Sequence, residues 1–206
     1  MNRLKKLVLA TTILSLASVV PATADSAKPG QSMTHMKTGA GLSALLEGAG
    51  VVLYVQGGAT SSVMGDSIAS TNGQHIFHIP VTSTKAGVAH IGSNIVFFNT
   101  SNNQQVQLKN PVIDLATGQI SAVVAQADNK SMPVLTITNL SALKAKTTND
   151  RKAGMRATAY REAALSLAPG IGAALSSLLG LPEGSLPEGA AFGSADVTIY
   201  SKIAKK

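Results

Sequence analysis

Along the middle of this chain apolar and polar residues alternate in short runs, and each run stops at glycine, asparagine, proline or serine. From Gly87 to Val124 the sequence is GVAHIGSNIVFFNTSNNQQVQLKNPVIDLATGQISAVV. Within it HIGSNIVFFN predicts a strand, TSNN a turn, and QQVQLKNPVIDL a second strand in which Val106 and Leu108 alternate with Gln105, Gln107 and Lys109. Two strands joined through Ser and Asn predict an antiparallel hairpin. ATG then turns the chain into QISAVVAQA, where Ile120, Ala122 and Val124 share a face, and DNKSM leads to a further strand in PVLTITNLSAL. Strands at about ten-residue spacing point to a sandwich or barrel and away from a parallel α/β sheet.

The pattern continues on both sides. Leu42 to Leu46 predicts a helical turn, and Val51 to Gln56, a β-branched and aromatic run between glycines, predicts a strand. QHIFHIPV predicts another, with Ile76, His78 and Pro80 on one face and His75, Phe77 and Ile79 on the other. Downstream, Ala157 to Leu167 and Ile171 to Leu179 are rich in Ala, Leu and Ser and predict two helices, separated by Pro169 and Gly170 and stopped by Gly180 before Pro182. LPEGSLPEG is a turn-rich connector, and GSADVTIYSKI predicts the last strand. The expectation is a mainly β fold, an antiparallel β-sandwich with a short helical segment before the last strand.

The N-terminal MNRLKKLVLATTILSLASVVPATADSA has a basic start (Arg3, Lys5, Lys6), an apolar run from Leu7 to Val20, and Ala22 and Ala24 after Pro21. It predicts a signal peptide over 1–24, cut after Ala24, since the apolar run is short for a membrane span of about 20 residues. DSAKPGQSMTHMKTGAG lacks an apolar period and predicts a flexible leader over 25–40. The domain is then expected at 41–202 with a basic tail at 203–206, in a bacterial protein that is secreted or held at the cell envelope without a transmembrane span after cleavage.

Composition narrows the chemistry. The 206 residues include no Cys and no Trp, and aromatics are 3% of the chain. Disulfides and thiolate chemistry are therefore excluded, and too few aromatic rings exist for a nucleic-acid stacking platform, so no nucleic-acid partner is expected. Of the formal charge of +7, the signal peptide carries three basic residues; the remainder has 14 basic residues against 10 acidic. That excess of +4 sits in one place, where Lys144, Lys146, Arg151, Lys152, Arg156 and Arg161 meet only Asp150 and Glu162. The segment is either a solvated basic loop and helix start or a contact for anionic lipid, cell-wall polymer or, on charge alone, nucleic acid.

Motifs of catalysis are missing from the sequence. There is no HExxH, GxSxG, GxGxxG or phosphate-binding loop, so no catalytic residue is assigned and no enzyme is expected. The histidines are His35, His75, His78 and His90. His75 and His78 stand three apart on one strand, hence on opposite faces, and no metal site is expected; the histidines are read as surface or strand-packed residues. Asn99, Asn129 and Asn139 open glycosylation sequons that are read as chance matches. Tyr54, in a strand between glycine-rich segments, has two roles open to it: packing, or a phenolate ligand to ferric haem.

Several of these segments together resemble the haem-transport-associated (HtaA-type) domain of secreted and cell-surface actinobacterial proteins. The likeness is carried by Gly92-Ser93, Phe97-Phe98, Asn110-Pro111, Thr117-Gly118, Ala173-Ala174-Leu175 and the strand from Gly193 to Val197, and it spans roughly Gly50 to Ile199. It implies an exported, non-enzymatic binding protein, with haem as the implied cofactor, held by a tyrosine of an early strand and assisted by a histidine after the Gly-Ser strand. Tyr54 is similar to that tyrosine in position. At the histidine's place this chain has Asn99 and Thr100, and His90, the nearest histidine, precedes the strand. The alternative is a structural or adhesive surface protein that holds an anionic polymer or lipid through the basic segment.

Overall fold

The computed structural model describes residues 31–39, 41–64 and 74–203. The signal peptide expected over 1–24, with its cut after Ala24, lies outside them, as do the last three residues of the basic tail. In chain order the elements are β1 Met33–Thr38, α1 Leu42–Gly48, β2 Val51–Gly57, β3 Thr60–Met64, β4 Gln74–Pro80, β5 Val88–Ala89, β6 Ser93–Asn99 and β7 Gln105–Ile113. They continue with β8 Gln119–Val124, β9 Lys130–Ile137, β10 Lys146–Asp150, β11 Met155–Leu167, α2 Ile171–Leu178 and β12 Ala191–Lys202. A 3-10 turn, Leu140–Ala142, lies between β9 and β10.

All of these strands join one antiparallel sheet in the order β2, β6, β7, β8, β9, β11, β12, β1, β4, β3, with β5 added to β7 and β10 to β11. The first and last strands of that order are consecutive in the chain, linked by Gly58 and Ala59 alone, so the sheet curls until its edges approach and nearly closes into a barrel. Curling covers both edges and gives the facing walls between which a core is packed. The expected mainly β, antiparallel class and the short helix before the last strand are both present.

Alternation decides what fills the interior. β4 buries His75, Phe77 and Ile79, β6 Ile95 and Phe97, β7 Val106, Leu108 and Ile113, and β8 Ile120, Ala122 and Val124. In β7 the alternation slips between Lys109 and Val112, where Asn110 takes φ 51° and accommodates an extra residue. The turn from β7 to β8 is held by Asp114, whose carboxylate accepts from the Ala116 and Thr117 backbone N–H groups and the Thr117 hydroxyl. α2 buries Ile171 and Leu175, and the Glu188 carboxylate of the LPEG connector accepts from the Gly170 and Ala173 N–H groups at its start.

Three expectations are overturned. The leader expected to be flexible contains β1, which pairs with β12 on one side and β4 on the other and so belongs to the domain expected to begin at residue 41. Its inward residues are Thr34, Met36 and Thr38, so only one of the three is apolar and the core face is invisible to a hydrophobicity pattern. The helix expected over Ala157 to Leu167 is β11. Its Ala, Glu and Leu favour a helix in isolation, but β12 pairs with it along most of its length and Ala163, Leu165 and Leu167 enter the core at strand spacing. The basic segment likewise contains a strand, β10, where a loop and helix start were expected.

Candidate functional site

Tyr54 lies on β2, whose Val51 and Leu53 face the core, so its ring is on the outer face. There the register places it beside Val96 of β6, with Val52 beside Phe98 one pleat away. Val52 is 46% exposed, Tyr54 and Phe98 are half-buried, and Val96 is fully buried although it points outward. Val52, Tyr54 and Phe98 therefore form an apolar platform over the buried Val96, on a sheet face where Gln56, Asn94, Gln105 and Gln107 supply the ordinary polar neighbours.

His90 is not part of that platform. It is 1% exposed, its Nδ1–H donates to the Pro111 carbonyl at 2.9 Å, and its Nε2 accepts from the Thr34 hydroxyl at 2.8 Å. Pro111 belongs to β7 and Thr34 to β1, which stand five places apart in the ring of ten strands, so the imidazole ties opposite walls of the barrel. Burial lowers its pKa, against a smaller opposing effect of the Pro111 carbonyl. With both nitrogens engaged it offers no lone pair to a haem iron or to a tyrosine ligand. Nearby, the Gly92 N–H donates to the Asn110 side chain at 2.8 Å, so Gly92, Asn110 and Pro111 together build this end of the barrel.

Asn99 stands at the position where the resemblance implies a histidine. It is 3% exposed, and its amide donates to the Leu179 carbonyl at 2.8 Å, fastening the end of α2 to β6.

The six basic residues are exposed but do not share a face. Lys146 and Arg156 sit at opposite-parity positions of the β10–β11 hairpin: Lys146 pairs with Ala159, whereas Arg156 pairs with Asn149 and donates to its side chain at 3.2 Å. Arg151 and Lys152 are at the hairpin tip and Lys144 precedes β10. Arg161 is removed from the set by Asp196, which it meets at 3.3 Å in a bulge of β11.

His75 and His78 occupy opposite faces of β4, as their spacing requires. His75 is buried, its N–H donating to the Thr38 hydroxyl at 2.9 Å, and burial lowers its pKa. His78 meets a residue that the sequence did not bring near it: His35 of β1 is its register partner, and the two Nδ1 atoms are 3.0 Å apart. No group of three or more His, Cys, Asp or Glu residues converges among the described residues.

Two hollows flank α1. One, of about 100 Å³, lies between α1, β2 and β4 and is lined by Leu46, Val51, Leu53 and His75. It is smaller than the roughly 300–1,000 Å³ of ordinary small-molecule sites. The other, of about 790 Å³, is an open groove between α1 and the connector at Leu181 and Pro182. Among the described residues no helix is long and apolar enough to cross a membrane. Comparison of the chain with protein-family models, with curated proteins and with solved structures finds no match.

Proposed function

We propose that this chain is an exported, non-enzymatic binding protein of the HtaA-like type, and that its ligand lies flat on the outer face of β2 and β6 around Tyr54. The observation that supports this reading is the apolar platform of Val52, Tyr54 and Phe98 over the buried Val96. A planar, largely apolar ligand covers such a surface, and a phenol at its centre supplies one hard anionic ligand to a ferric iron. Haem is the ligand with both properties. His90 has no part in binding on this reading, because withdrawing its ring leaves the buried Thr34 hydroxyl unpaired. Export rests on the basic, apolar and small-residue pattern that ends at Ala24.

The test is a hemin titration of the purified chain followed in the Soret region, with Tyr54→Phe in parallel. A saturable ferric-tyrosinate spectrum in the parent and its loss in the variant is the expected result; a parent spectrum identical to hemin with an inert protein overturns the reading. A second reading draws on the exposed β10–β11 hairpin, whose tip carries Arg151 and Lys152. It requires salt-dependent retention on anionic vesicles that falls when both are replaced by Gln.

A further inference from the structure

On the outer face of the barrel, a row of side chains crosses four neighbouring strands. Asp196 of β12 is the register partner of His35 on β1, His35 that of His78 on β4, and β3 follows with Ser62. The two imidazoles are half-buried and edge to face, with ring centroids 4.8 Å apart and planes at 89°. Their Nδ1 atoms face each other at 3.0 Å.

We propose that His35 and His78 form a two-histidine binding site for a borderline divalent transition-metal ion, copper(II) most tightly, with nickel(II) and zinc(II) following. Imidazole nitrogens bind such ions at about 2.0–2.1 Å, so two ligands of one ion stand about 2.9 Å apart at a right angle and about 3.3 Å apart at the tetrahedral angle. The observed 3.0 Å falls in that interval. The two strands are direct neighbours inside the sheet, so the spacing is set by the ladder and not by a mobile loop.

The hydrogen bonds around the pair are compatible with the required tautomer. His78 Nε2 is 3.4 Å from the Ser62 hydroxyl; with Nε2–H donating to that oxygen, the His78 Nδ1 carries a lone pair aimed at His35. In the metal-free pair that lone pair accepts from His35 Nδ1–H. Binding then asks His35 to move its proton from Nδ1 to Nε2 and the two rings to turn until both Nδ1 lone pairs converge on an ion set to one side of the line between them; two neutral imidazoles receive the ion and solvent fills its remaining positions. Asp196 lies on the far side of His35, where its carboxylate already accepts from Arg161 and from the Glu162 N–H; it contributes charge and is not counted as a ligand. The arrangement escapes a sequence search because His35 and His78 are 43 residues apart, on strands of which one carries no apolar period.

The experiment is a calorimetric titration of the purified chain with copper(II) and separately with zinc(II), with electron paramagnetic resonance of the copper(II) form. His35→Gln, His78→Gln and the control His75→Gln are run beside it. The expected result is one tight copper(II) equivalent with nitrogen hyperfine structure, weakened at least tenfold in His35→Gln and in His78→Gln and unchanged in His75→Gln. Copper(II) is also expected to raise the thermal midpoint of the parent but not of His78→Gln, a readout that each variant supplies against its own metal-free form. Absence of a saturable equivalent, or an equivalent equally tight in all three variants, overturns the proposal. Because Tyr54 takes no part, loss of hemin binding in Tyr54→Phe leaves this outcome untouched.

Discussion

His90 shows how much one side chain carries in this fold. It spans the interior from Pro111 to Thr34, and either wall loses a partner if it is removed. His90→Ala leaves the Thr34 hydroxyl buried and unpaired, while the Pro111 carbonyl keeps the backbone N–H of residue 90 at 3.0 Å, so a loss of about 1–3 kcal/mol in urea unfolding is expected at pH 7.5. The pH dependence has a definite sign. Burial holds the folded-state pKa below the ordinary 6.5, so above pH 6.5 both states are neutral and the stabilisation is complete. As the pH falls through about 6.5 the unfolded chain takes up a proton that the folded chain refuses, and stability declines until the folded pKa is reached. The parent is therefore expected to lose stability between pH 7.5 and 5.5 more steeply than His90→Ala. Equal slopes would remove His90 from the account; the residual slope in the variant belongs to His35 and His75, whose pKa values are lowered in the same sense. The position of His90 before the Gly-Ser strand is visible in the sequence, but its partner is not. Thr34 lies 56 residues away in a segment with no apolar signal.

Among the elements, those with a strong strand signal were legible. β7 and β8 alternate apolar with polar residues, β2, β4 and β6 are short β-branched and aromatic runs between turn residues, and the sequence locates all five to within about three residues. β11 was not, because alternation is confined to its last residues, Ala163 to Leu167, while its first half carries the polar face of the β10–β11 hairpin. What makes it a strand is its partner. Leu165 pairs with Gly193 of β12, and Gly193 in turn pairs with Thr38 of β1, so three backbones pass through one crowded point. Gly193 has φ 147°, and a Cβ there would come 1.9 Å from the Lys37 carbonyl oxygen. Gly193→Ala therefore combines a strained backbone, about 1–3 kcal/mol, with overpacking, about 1–3 kcal/mol. A fall of about 4 kcal/mol is expected in denaturant unfolding, against about 1–2 kcal/mol, the strain alone, for Gly184→Ala in the connector. Gly184 also has positive φ but no neighbour within 4 Å of the added carbon, so equal losses at the two positions would mean that the close approach contributes nothing.

At the scale of the whole molecule, closure depends on the segment whose pattern looks least structured. Ten strands make the ring, and β1 is the link between its late half, β11 and β12, and the strands β4 and β3 that return to the seam with β2. Without β1 the edges of β12 and β4 would both open, exposing ladder groups and the inward faces of Phe77, Ile79, Ala195 and Val197 to water. The lost contacts include the Thr34 hydroxyl on His90 and the Thr38 hydroxyl on the His75 N–H, so both ends of the interior lose a polar tie. A chain beginning at Gly41, where hydrophobic periodicity alone would start the domain, is thus expected to be recovered as aggregate or to lack cooperative thermal unfolding. A chain beginning at Gln31 keeps β1 and is expected to unfold cooperatively with the midpoint of the parent. Circular dichroism melts and size-exclusion profiles of the two truncations decide the point. Cooperative unfolding of the shorter chain at the parent's midpoint would show that β12 and β4 hold their positions unaided, and that β1 decorates a barrel it does not complete.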